Sequence, residues 1–335
     1  MVTRVFLTVD TELAWRHHAC GLPIEEVYRR SIEPAGVGLS WQLATLKEHG
    51  LKACFFVDPA PAHVYGIGII ERIVGTITAA GQDVQLHFHP GWYGASASNR
   101  EASAPKDLID YSADQQRSLL ARARADLMAA GAPAPRAFRA GSYAANDDSL
   151  DALASLGILH DSSFNAAWPA VSRIDLPPRT LAPLRHAGLN EFPVGFVEDR
   201  GGRARTLQIC ALSTEEMRAA LDHAVENEHA LVTIVSHSFE LATRSGLRRN
   251  RGHVRRFEWL CAYLAAHSEA MPTIDSGGLN AIPLERHDQP LGYRNRRWLR
   301  RQGEQLWINE MIESRRGPLA AAAAAAGVAV GIQAL

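Results

Sequence analysis

Val5-Phe6-Leu7-Thr8-Val9-Asp10-Thr11-Glu12 passes from a run of strand-forming residues straight into two acids spaced two apart. β-Branched and aromatic side chains predict a strand over Val5–Val9. Residues two apart on a strand leave the same face, so Asp10 and Glu12 point together. Similar runs recur along the chain, at Ala53–Val57, Val84–Phe88, Arg136–Phe138, Ile158–His160, Glu191–Val194 and Leu231–Ser236. Longer amphipathic stretches lie between them, and helices are expected over residues 36–49, 67–80, 147–156 and 250–267. Two further helices announce their starts through capping boxes, Ser112-x-x-Gln115 and Ser213-x-x-Glu216. Gly50, Gly81 and Gly131 stand where helices should stop. Strands alternating with helices in this way predict an α/β domain with a mainly parallel sheet.

The unusual polar residues follow the predicted strands. Asp10 and Glu12 come after the first and His87 and His89 close the third, while Arg139, Asp161 and His237 follow Phe138, His160 and Ser236. In a barrel of parallel strands all C-terminal ends open on one face, where catalytic groups converge. His87 and His89 share a face, and two imidazoles with one carboxylate form a set suited to zinc or a similar divalent ion, with positions left open for water and substrate. The second carboxylate would take a proton from water, and His237 would protonate a leaving amine. Each assignment has a structural alternative. His237 taken alone reads as a hydrogen-bonded strand-end residue, Asp10 as a turn cap, Arg139 as a surface charge, and His87-Phe88-His89 as a strand end that caps loop backbone. His17 and His18 are adjacent, point to different sides and read as loop residues.

The 335 residues carry 35 basic and 36 acidic groups, a formal charge of −1, so no global field recruits nucleic acid. Cys20, Cys54, Cys210 and Cys261 are scattered and never form a Cys-x-x-Cys pair, which excludes a disulfide framework and a thiolate metal site. The first apolar run is too short for a signal peptide, and a cytoplasmic location is expected. Near the C-terminus Arg294, Arg296, Arg297, Arg300 and Arg301 surround Trp298, ahead of Trp307 and an alanine-rich stretch over Ala320–Ala326. A helix packed on the barrel with its arginines solvated is the plain reading of this tail; a peripheral membrane contact is the alternative.

Taken together these motifs resemble the polysaccharide deacetylases of carbohydrate esterase family 4, the NodB homology domain, in family order over about residues 4–280. Leu7-Thr8-Val9-Asp10-Thr11-Glu12 is similar to the first motif, and the resemblance implies Asp10 as base and Glu12 as metal ligand. Ala53-Cys54-Phe55-Phe56-Val57 resembles the strand that follows, and Gln85-Leu86-His87-Phe88-His89-Pro90 the metal-binding second motif. Phe138-Arg139-Ala140-Gly141-Ser142-Tyr143 resembles the third, implying that Arg139 orients the base and that Tyr143 lines the groove. Gly157–Ser163 falls where the fourth lies, and Ile234-Val235-Ser236-His237-Ser238 is similar to the fifth, implying His237 as general acid. Tyr143, Asp161 and Trp92 are expected to bind substrate.

What the resemblance implies for the fold is a distorted (β/α) barrel of about seven parallel strands over residues 1–284, followed by a basic, then alanine-rich, helical extension over 285–335. The implied activity is metal-dependent hydrolysis of an N-acetyl or N-formyl amide on an amino sugar, with zinc, cobalt or nickel as the ion. A nucleotide- or lipid-linked precursor of a cell-surface polysaccharide fits the expected location. The second motif departs from the family pattern, whose paired histidines would put the first on Gln85. Either His87 replaces it, or Gln85 is a weak ligand, or the site is degraded and the domain binds sugar without catalysis. A small non-sugar amide is a further alternative.

Overall fold

The computed structural model describes residues 2–96 and 107–313. Ten strands occur in chain order: β1 (Arg4–Thr11), β2 (Cys54–Val57), β3 (Asp83–Phe88), β4 (Ala137–Ala140), β5 (His160–Asp161), β6 (Leu184–His186), β7 (Leu189–Glu191), β8 (Phe196–Glu198), β9 (Ala204–Thr206) and β10 (Leu231–His237). Helices α1 (Trp15–Ala19), α2 (Ile24–Ser31), α3 (Leu39–Glu48), α4 (Ala62–Tyr65), α5 (Gly68–Ala79), α6 (Ala113–Ala129), α7 (Asp147–Ser155), α8 (Thr214–Glu226), α9 (Arg251–Ala266) and α10 (Asn295–Trp307) accompany them. Both capping boxes form as read, Ser112 accepting from the Gln115 N–H and Ser213 from that of Glu216.

The main sheet runs β10-β1-β2-β3-β4-β5-β7-β6, with every neighbouring pair parallel except β6–β7. Seven parallel strands therefore match the expected barrel, and β6 is an added antiparallel edge. The strand expected over Glu191–Val194 lies earlier, at Leu189–Glu191. Beyond it the chain leaves the sheet and bridges towards β10: Val194 N donates to Phe164 O, Gly195 N to Thr233 O at 3.0 Å and Leu207 N to Gly195 O at 2.7 Å. A Cβ on Gly195 would lie 2.5 Å from the Thr233 carbonyl, so glycine is what lets this bridge close on β10. The barrel is thus completed by irregular chain.

Alternation along the strands sorts two layers. Val5, Leu7, Val9, Phe55, Val57, Leu86 and Phe88 face outward into the helices. Phe6, Cys54, Phe56, Ala137 and Phe192 fill the inside, each large side chain contributing about 1.5–3 kcal/mol by leaving water. Further along the same inward rows come Thr8, Asp10, His87 and Arg139, all buried polar groups. The barrel is apolar towards its N-terminal end and polar at the C-terminal end.

Two sequence readings are corrected. His17 and His18 lie in α1 and are buried at 4% and 3% exposure, with the His18 ring packed against Trp15 of the same helix and against Trp92. The tail's arginines are not simply solvated either. Arg301 on α10 is 1% exposed and paired with Asp199 and Glu216, while Arg256 on α9 reaches Glu304. Such pairs anchor α10 to the domain, since a buried charge is tolerated only when partnered. The alanine-rich stretch Ala320–Ala326 lies outside the described residues, among which no helix is long and apolar enough to cross a membrane.

Candidate metal centre

Asp10 and Glu12 leave β1 on the same side, but into different company. Asp10 stands opposite His237 in the β1–β10 register and is 2% exposed. Its Oδ1 accepts from Arg139 Nη1 at 2.8 Å, and its Oδ2 lies 3.9 Å from His237 Nε2. Arg139 is wholly buried across the barrel from β4. Its other bonds run to Thr8 Oγ1 (2.6 Å), Ser162 O (3.0 Å) and Ser162 Oγ (2.9 Å), with the guanidinium 4.5 Å from the Phe56 ring centre. Four hydrogen bonds, two to β1 and two to Ser162 just past β5, and the Phe56 ring on β2 fix the cation, and through it the Asp10 carboxylate.

Glu12 meets the two histidines instead. Its Oε2 is 2.5 Å from His89 Nε2 and 3.3 Å from His87 Nε2, and ligand atoms of the three residues lie within 4.8 Å of one another. His87 Nδ1 lies 2.8 Å from the Arg139 carbonyl, which can only accept, so the proton belongs on Nδ1 and the Nε2 lone pair faces the cluster. His89 packs flat against Gly141, where a Cβ would come within 2.4 Å of His89 Nδ1. Burial opposes charge on both partners, but their mutual attraction prevails, holding Glu12 well below the usual carboxylate range and raising His89 to about 9. Two imidazoles, one with its tautomer set, and an anionic oxygen form a donor set that fits a divalent transition ion.

Gln85 takes no part in this cluster. Its Nε2 donates to Asp83 Oδ1 and Ser276 Oγ, and its Oε1 accepts from the N–H groups of Arg136 and Ala137, both at 2.8 Å. The amide is spent on Asp83 of its own strand, on Ser276 and on the start of β4, one inward position below His87. Of the two residues that compete for the ligand place, His87 is the one beside Glu12 and His89.

His237 was legible; its partner was not. Glu240 Oε2 lies 3.1 Å from His237 Nδ1, and Oε1 accepts from Cys210 N. Burial disfavours the imidazolium, yet the Glu240 bond and charge outweigh it and raise His237 to about 9. The signal was present in the sequence as an acid three residues beyond the histidine, in a turn rather than a strand.

The expected substrate residues separate. Tyr143 follows Ser142 in a turn where both carry positive φ, 58° and 55°, conformations that non-glycine residues adopt at a cost of about 1–3 kcal/mol each. Its hydroxyl is buried without a partner among the described residues, and Val194 and Val235 pack around its ring. Trp92 is only 2% exposed, packed edge-to-face among Trp15, His18 and Tyr65, but it lines a pocket with Glu12, Leu13, Trp15, His89 and Gly91. Trp15, which the sequence reading passed over, shares that wall. Asp161 is a correction. It is wholly buried, accepts from Ser163 N at 2.9 Å and from Ser163 Oγ at 2.7 Å, and faces Glu191 on β7. Burial raises both carboxyls, and the Asp161 charge pushes Glu191 up further. Ser163 Oγ in turn accepts from Ala140 N at the end of β4, so Asp161 braces that strand end from the helix-facing side of the sheet.

No family model matches the chain, and no curated protein matches it. Among solved structures it is similar to a candidate polysaccharide deacetylase from Mycobacterium smegmatis, at 17% identity and a TM-score of 0.56, over 86% of this chain and 94% of that one. The chain has the polysaccharide deacetylase fold. Other structures carrying this fold are more distant. A family 4 carbohydrate esterase from Streptomyces lividans in complex with acetate gives 14% identity and a TM-score of 0.38, over 80% of this chain and 90% of that one. A family 4 pseudoenzyme from Bacillus anthracis gives 12% and 0.44, over 88% and 70%.

Proposed function

We propose that the chain is a metal-dependent hydrolase that removes an acetyl or formyl group from the nitrogen of an amino sugar. One observation carries the reading: an acid pinned by a buried arginine and an imidazole held by its own carboxylate flank a cluster of Glu12, His87 and His89 at one barrel mouth. Zinc, cobalt or nickel held there would polarise the amide carbonyl and acidify water. Asp10, held by Arg139, takes a proton from the attacking water as its oxygen bonds to the acyl carbon. His237, charged at neutral pH through Glu240, gives its proton to the amine nitrogen as the C–N bond breaks. Tyr143 and the Trp15–Trp92 wall border the space a sugar ring would fill, and flat aromatic faces suit such rings.

A nucleotide- or lipid-linked precursor handled in the cytoplasm is the substrate that accords with the sequence reading. Loss of catalysis was suggested by Gln85 at a ligand position, and that motive falls away because Gln85 is fully bonded elsewhere while His87 faces Glu12. The test is direct. Purified chain loaded with zinc, cobalt or nickel should release acetate or formate, with a matching free amine, from a panel of nucleotide-linked N-acyl amino sugars. A full equivalent of bound metal with no acyl release across N-acetyl and N-formyl sugars would overturn the activity.

A further inference from the structure

Arg16 follows Trp15 in α1, and the hydrolytic scheme above gives it no part. Trp15 and Glu12 line the pocket at the barrel mouth, and from α1 the Arg16 side chain reaches the loop that follows β10. Its Nε donates to Arg244 O at 2.9 Å, and its guanidinium carbon lies 4.9 Å from the centre of the Phe239 ring. That ring lies 5.2 Å from the His237 ring, tilted by 30°. Arg16 therefore stands one aromatic ring away from the imidazole assigned to the leaving amine.

The cation is partly buried and, among the described residues, no carboxylate is bonded to it. The acids whose charge acts on it are engaged elsewhere: Glu12 with His87 and His89, and Glu313 with Arg244 N and Asn250 Nδ2. Exposed Arg244 adds a second positive charge to the same rim, so burial and a like charge both press on Arg16. Arg29, Arg72 and Arg179 are less in need of a counter-ion, being well exposed, yet each is paired with a glutamate. A desolvated cation is ordinarily partnered. At Arg16 the Nη end of the guanidinium, the part of the fork that matches oxyanions, is left without one.

We propose that Arg16, with Arg244 adding to the local positive charge, binds an oxyanion, a phosphate ester or a carboxylate, carried on the amino sugar whose N-acyl bond is cut. The inference rests on the hydrolase reading of this mouth. Position decides which part of the substrate bears the charge. Arg16 lies on the His237 side, where the amine departs with the sugar, so the anion belongs to the sugar and not to the acyl group.

The test is calorimetric titration of zinc-loaded, full-length protein with three probes: N-acetylglucosamine, its 1-phosphate, and N-acetylmuramic acid, which carries a carboxylate. Wild type should bind at least one charged probe about tenfold more tightly than the neutral sugar, and the probe preferred separates phosphate from carboxylate. Phosphate also meets divalent ions directly, so Arg16→Gln decides. It should bring the charged and neutral affinities to within about twofold of each other, and Arg16→Lys should restore part of the gap as a point charge. Far-ultraviolet dichroism and metal content check that both variants fold. A gap that survives in Arg16→Gln, or a wild type that binds all three probes alike or none of them, would overturn the proposal. A gap that Arg16→Gln closes, with no acyl group released from any N-acyl sugar, would sustain the anion site and count against the hydrolase reading alone.

Discussion

Asp10 and Glu12 are two residues apart on one strand, share a face and are both carboxylates, yet their surroundings divide them. Asp10 is pinned by a guanidinium that has no exposure at all and faces one imidazole at 3.9 Å. Glu12 has two imidazoles within 3.3 Å on one oxygen and, among the described residues, no arginine bonded to it. The difference lies across the barrel: β4 sends Arg139 towards Asp10, while β3 sends His87 and His89 towards Glu12. Spacing puts two acids on one face, and the strands opposite decide which handles protons and which faces a metal.

Removing the arginine should break that division most severely. Arg139→Met strips Asp10 of its cation and leaves a buried carboxylate without its counter-charge, which costs about 3–5 kcal/mol of folding stability. The midpoint of urea unfolding should fall accordingly, and turnover should be lost in whatever folds. An unfolding midpoint close to wild type would mean that Arg139 does not hold Asp10 in solution.

Glu240→Gln sharpens the other half of the comparison. The folded His237 value, about 9, lies above the ordinary 6.5. Stability from the Glu240 contact is therefore complete below about pH 6.5 and is lost as pH rises through 9. Activity that needs the imidazolium follows the same limb. The variant should move the alkaline fall of turnover down by about two pH units and so lower turnover at pH 8 about tenfold, with metal content unchanged. An unmoved pH profile would remove Glu240 from the role of positioning His237.

The smallest effect is expected at Tyr143. Its hydroxyl has no partner among the described residues, so Tyr143→Phe should change stability by less than about 0.5 kcal/mol. KM should rise if the hydroxyl meets substrate, and kinetics identical to wild type would leave Tyr143 as packing alone.

Much of this arrangement was legible in the sequence. Seven parallel strands were marked by β-branched runs, and polar residues at their ends named Asp10, Glu12, His87, His89, Arg139 and His237. The misses have physical causes. Asp161 sits at a strand end like the others, but β5 is two residues long and the register sets Asp161 level with Phe138 and Leu86, on the row that faces the helices and not the barrel interior. Trp15 lies in a five-residue helix too short for periodicity to show. Glu240 stands in a turn, where acids ordinarily cap backbone, so only its contact with His237 distinguishes it. Gln85 stood as an alternative to His87 because the sequence does not show that its amide is taken up by Asp83, Ser276, Arg136 and Ala137.

The account's central claim is that Asp10 moves protons while Glu12 and His89 hold the ion. Metal stoichiometry measured beside turnover on Asp10→Asn and His89→Ala tests it most directly. Asp10→Asn should retain one equivalent of zinc or cobalt while losing turnover by at least about a thousandfold, and His89→Ala should lose the ion itself. A His89→Ala variant that keeps a full equivalent and full activity, or an Asp10→Asn variant that loses its metal, would contradict the division of labour between the two acids.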